Sequence, residues 1–140
     1  MTRFGTGWVA LGLGLFLLIG VAGSVAAQPM APPGGDYKRA SELVPLPDFL
    51  PGLGTLYVKP QTLPVGPFLA YDRQGHLVST VYMIPFADIE THKKLDLEAA
   101  TDQAVDHVDM YYNAGHPGAP EPHYHIVLWY IPSAEVGALK

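Results

Sequence analysis

The chain has 140 residues, no cysteine and a net charge of −5, so one domain is expected. Without cysteine there is no disulfide, thiol catalysis or lipoprotein anchor. The acidic balance argues against nucleic acid and anionic lipid, both of which call for clustered Lys and Arg.

The N-terminus reads as an export signal. Arg3 supplies the positive start, Val9 to Ala22 is an apolar run rich in Leu and Gly, and Gly23 to Ala27 is a tail of small residues. The apolar run is short of the roughly 20 residues a spanning helix needs. Residues 1–27 are therefore expected to be a cleaved signal peptide, leaving a secreted or periplasmic chain with no stable membrane anchor. With Arg3 removed, seven basic residues would face 13 acidic ones, a net charge of −6.

Residues 28–35 (QPMAPPGG) read as an extended Pro/Gly-rich tether, and residues 36–140 as a single domain. Asp36 to Leu43 is expected to form a short helix with Asp36 as N-cap. The proline-punctuated run from Pro45 to Gly54 reads as an ordered strap whose Phe49, Leu50 and Leu53 pack onto the body. Thr55 to Lys59 is a short strand. Phe68 to Asp72 and His76 to Ile84 form a β-hairpin around an Asp-Arg-Gln-Gly turn, with Gly75 free to take positive φ. Phe86 to Leu95 is a helix candidate, and Asp96 to Gln103 extends it or starts another. The fold class is therefore α+β: an antiparallel sheet with hairpins and one or two short helices.

Four of the six histidines fall in one stretch, DHVDMYYNAGHPGAPEPHYHIVLWY, from Asp106 to Tyr130. Val105 to Tyr112 and His123 to Ile131 are both strand-like. Strand side chains alternate between faces, so Val105, His107, Asp109 and Tyr111 share one face, as do His123, His125, Val127, Trp129 and Ile131. Pairing the more apolar faces, Val108 and Met110 with Ile126 and Leu128, puts His107 and Asp109 on the side of His123 and His125. A one-residue slip would scatter them.

Several imidazoles and a carboxylate on one patch suit Zn²⁺ or Cu²⁺. The candidate ligands are His107, His116, His123 and His125, with Asp109 assisting. Asp106 or Glu121 could orient a ligand from outside. A metal-free His–Asp–Tyr hydrogen-bond network, or a pH-sensitive surface, would use the same residues. No Gly-x-Ser-x-Gly, phosphate loop or His-Glu-x-x-His motif is present. A binding or structural protein is therefore favoured over an enzyme. The rival reading is a three-histidine Zn or Cu metalloenzyme, hydrolase-like or redox.

The runs GPFLAYDRQGHLVSTVYMIP, DHVDMYYNAGHPG and PHYHIVLWYIP carry a family resemblance. With the N-terminal signal, they resemble a family of small exported bacterial proteins typified by a Thermus hypothetical protein under the sigma-E/anti-sigma-E system. Broader members share His-Val-Asp, then Gly-His, then Pro-His-aromatic-Asp-x-His. Here these fall on His107 to Asp109, Gly115-His116 and Pro122 to Tyr124. This chain departs at the end, with His125 in place of the Asp and Val127 in place of the last His. The resemblance implies an α+β domain outside the cytoplasm, a ring-like homo-oligomer, an envelope-stress association and no established activity.

Overall fold

The computed structural model describes residues 30–140, so the signal-peptide reading of residues 1–27 lies outside the described residues. The described chain is an α+β fold built on one six-stranded antiparallel sheet, in the order β1-β2-β3-β4-β6-β5. The strands are β1 (Lys38–Arg39), β2 (Thr55–Val58), β3 (Phe68–Tyr71), β4 (Leu77–Pro85), β5 (His107–Asn113) and β6 (His123–Trp129). Three short helices are attached: α1 (Ala40–Leu43), α2 (Phe86–Glu90) and α3 (Ser133–Val136).

The hairpin expected around Gly75 is present. The Asp72 amide donates to the His76 carbonyl at 3.0 Å, and Gly75 takes φ 85°. β4 is the central strand, pairing with β3 on one side and β6 on the other, and it is buried from Leu77 to Ile84. A strand covered on both faces reads as a near-continuous apolar run, which is how LVSTVYMI reads.

Several boundaries differ from the sequence reading. Asp36 caps no helix, because Lys38 and Arg39 extend instead and add β1 to the edge of β2. The helix from Phe86 stops at Glu90, where His92 enters a left-handed turn at φ 53°. Residues 96–103 form neither helix nor strand. They cross the outer face of the sheet, and the Tyr82 hydroxyl donates to the Glu98 carbonyl there. The run read as a tether reaches the domain: the Ala31 amide donates to the Gly75 carbonyl at 2.9 Å.

β5 and β6 pair in the expected register, Val108 opposite Leu128 and Met110 opposite Ile126. The burial is the reverse of what apolar count suggested. Val127 and Trp129 are 1% and 3% exposed, whereas Val108 and Met110 are 56% and 60% exposed. The reason is what covers each face. On the histidine side, Leu53 from the strap and Val136 and Leu139 from the C-terminal segment pack with Phe68, Val81, Val127 and Trp129. On the other side, residues 97–105 reach β4 and β6, lining a hollow with Tyr82, Ile126 and Leu128. The outer face of β5 stays bare. Each Val- or Leu-sized side chain moved into such a core contributes roughly 1.5–3 kcal/mol, so the covered face decides the orientation of the sheet.

Candidate metal centre

β6 places His123 and His125 two residues apart on the buried face, at 3% and 8% exposure. His116 comes from the β5–β6 connection. It sits in a tight turn closed by reciprocal backbone bonds with Ala119, at 3.0 and 2.9 Å. Gly115 makes this turn possible: its φ is 124°, and a Cβ there would fall 2.2 Å from the Pro120 carbonyl oxygen. Gly118 is as constrained, since a Cβ there would meet the Val44 Cβ at 2.7 Å. The turn is thereby seated against Val44, at the end of α1 where the strap begins.

One ring nitrogen from each of His116, His123 and His125 lies within 4.8 Å of the other two, close enough to bind one metal ion. Hydrogen bonding fixes two of the tautomers. His123 Nδ1 is 2.7 Å from the Glu121 carbonyl oxygen, and His116 Nδ1 is 2.9 Å from that of Pro117. A carbonyl only accepts, so both rings carry their proton on Nδ1 and leave Nε2 bare. His125 Nδ1 is 2.9 Å from the Tyr111 hydroxyl, and its Nε2 is 2.9 Å from His123 Nε2. Every Nδ1 is thus occupied by an oxygen partner, the outer arrangement that orients metal-binding imidazoles.

The third tautomer depends on occupancy. Without a metal, His125 must donate from Nε2 to the bare His123 Nε2, and its Nδ1 accepts from Tyr111. An ion held by Nε2 would require the proton on Nδ1, where the Tyr111 oxygen could accept it. A hydroxyl serves either case. Burial, followed by the positive charge His123 and His116 would carry, lowers the His125 pKa to about 4. Its imidazole is therefore neutral at pH 7, the form a metal requires. Burial and the Asp109 carboxylate push the Tyr111 pKa up, keeping its hydroxyl protonated.

The donor set suits particular ions. Two ligand nitrogens on one ion, each bonded at about 2.0–2.1 Å, lie roughly 2.9–3.4 Å apart for angles between square and tetrahedral. The 2.9 Å between His123 and His125 falls at the lower end of that range. Imidazoles suit Zn, Cu, Fe and Ni, while Ca and Mg favour oxygen. Three histidines also leave a fourth position open on a tetrahedral ion.

His107 and Asp109 share the expected face but stay outside this group. His107 stacks on Trp129, ring centroids 6.0 Å apart, and its Nδ1 bonds Asp106. Asp109 accepts from Trp129 Nε1 at 2.8 Å. Glu121 contributes its backbone carbonyl rather than its carboxylate. Tyr111 is the residue bonded to the cluster that the sequence reading did not single out. Its signal was present, since it lies on the same strand face as His107 and Asp109.

The crystal structure of the hypothetical protein TTHB210 from Thermus thermophilus resembles this chain, with 46% sequence identity and a TM-score of 0.59. The match covers 67% of this chain and 92% of the Thermus protein. This chain belongs to the family of that Thermus protein. No family model matches, and no curated protein matches.

Proposed function

We propose that this protein binds a borderline transition metal, Zn²⁺ or Cu²⁺, through His116, His123 and His125. It acts as an exported, self-associating binding or structural protein rather than an enzyme. One observation carries the metal reading: each of the three Nδ1 atoms has its own oxygen partner while the rings converge. With each Nδ1 bonded outward, Nε2 is the nitrogen every ring can offer an ion, the His125–His123 bond giving way to it.

Export is supported by the sequence of residues 1–27, and the envelope-stress role by the family resemblance alone. Self-association is supported by the exposed apolar side chains of β5, an edge strand. Unpaired edges with apolar faces are templates for association. The three-histidine metalloenzyme remains the second reading, and the open fourth position favours it.

The test is metal analysis of untagged protein together with thermal melting. The expected result is close to one equivalent of Zn or Cu per chain and a rise in Tm on adding that metal. Less than a few tenths of an equivalent, with no change in melting, would refute the proposal.

A further inference from the structure

Beside the histidines lies a cavity of about 200 Å³. Leu46, Leu50, Leu53, Leu56, Phe68 and Met83 form much of its wall, and His116 and His125 are the imidazoles in it. An apolar cavity of about 150 Å³ stays dry and holds benzene. This one accommodates a group somewhat larger, of roughly six to eight carbons by the same scale. Water would find few partners there, since a buried water needs two to four.

Charge specifies the other end of the occupant. Three neutral imidazoles leave a divalent ion uncompensated, and no carboxylate belongs to the ligand group. Asp109, the acid expected to assist, is bonded to Trp129 instead. A monoanionic head on the open position would halve the uncompensated charge, from +2 to about +1. The mouth is formed in part by Leu63, which is 37% exposed, so a tail can enter from solvent.

We propose that the site takes a short aliphatic carboxylate, its head on the metal and its tail in the leucine-lined cavity. This inference rests on the metal reading above, and it assigns a ligand class to that centre. No covalent bond is made or broken; the carboxylate oxygen would take the fourth position in exchange for a water.

The experiment uses the untagged chain loaded with Co²⁺, a spectroscopic substitute for Zn²⁺ at imidazole sites. Octanoate, acetate and octanol are titrated while the visible Co²⁺ spectrum is followed. Octanoate is expected to change the spectrum and to bind at least tenfold more tightly than acetate, with octanol leaving the spectrum unchanged. Leu46→Trp and Leu63→Trp fill the cavity from its rim. Both are expected to keep Co²⁺ uptake and to lose the advantage of octanoate over acetate. If Co²⁺ binds but octanoate is no better than acetate, or its advantage survives in both variants, the ligand inference is overturned and the metal reading stands. If neither Co²⁺ nor Zn²⁺ binds the parent chain, the metal reading fails and the inference falls with it.

Discussion

Tyr111 and His125 face each other directly across β5 and β6, and the phenol oxygen lies 2.9 Å from His125 Nδ1. Their rings meet edge to face, with centroids 5.0 Å apart. The edge strand thus adds no residue to the histidine cluster, but it supplies the hydroxyl that orients His125. Tyr111→Phe should keep the fold and the one-metal stoichiometry while weakening metal affinity by roughly 10–100-fold, the usual cost of losing such a partner. Competition against a chromophoric chelator measures this. Unchanged affinity would remove Tyr111 from the site.

The buried neutral His125 gives the metal-free protein an acid liability. Its folded pKa of about 4 lies below the ordinary 6.5. Above pH 6.5 neither the folded nor the unfolded state binds this proton, and there is no effect. As pH falls from 6.5 towards 4, the unfolded chain takes up the proton and the folded chain does not, so stability is lost. At one pKa unit per 1.36 kcal/mol, the loss is on the order of 3 kcal/mol by pH 4. His125→Gln should flatten the dependence of Tm on pH across this window. A parent Tm that is constant from pH 6.5 to 4 would contradict the buried, neutral assignment.

Gly115→Ala tests the turn that carries His116. The added Cβ would overlap the Pro120 carbonyl, and the backbone would have to hold φ 124° with a side chain. A cost of about 1–3 kcal/mol is expected from the strain alone. Urea unfolding should show a lower midpoint, and metal uptake should fall with it, because His116 moves with the turn. A variant as stable as the parent would show that the turn relaxes freely.

Met110→Glu probes the bare face of β5. Met110 is 60% exposed, so an isolated monomer should tolerate the charge with little change in Tm. An assembly that buries this face should dissociate. Light scattering is expected to give a smaller mass for the variant than for the parent. Equal masses would place any self-contact elsewhere.

The sheet and its register were legible in the sequence because both rest on local patterns. Alternation in β5 and β6 and the Asp72-to-Gly75 turn need no knowledge of distant segments. Distance along a strand was the missing constraint on the site. His107 pairs with Trp129 while Tyr111 pairs with His125, four residues away on either strand. At about 3.4 Å per residue, sharing a face still leaves roughly 14 Å between His107 and His125, and more to His123. The identity of the buried face was not legible either, because it is set by the strap and by Val136 and Leu139, far apart in the chain. Apolar count within the two strands pointed to the opposite face. His116 was recognisable by type, but its position depends on the close approach of Gly118 to Val44, which no local pattern encodes.

That close approach has a thermodynamic consequence. Val44 and the strap that follows it wall the cavity, and the turn that holds Gly118 carries His116, a proposed metal ligand. If the two move together, occupancy of one biases the other, and the bias is reciprocal: whatever factor the metal adds to tail affinity, the tail returns to metal affinity. A change in the strap that touches neither imidazole, such as a cut between Pro45 and Gly54, would then register as a change in metal loading.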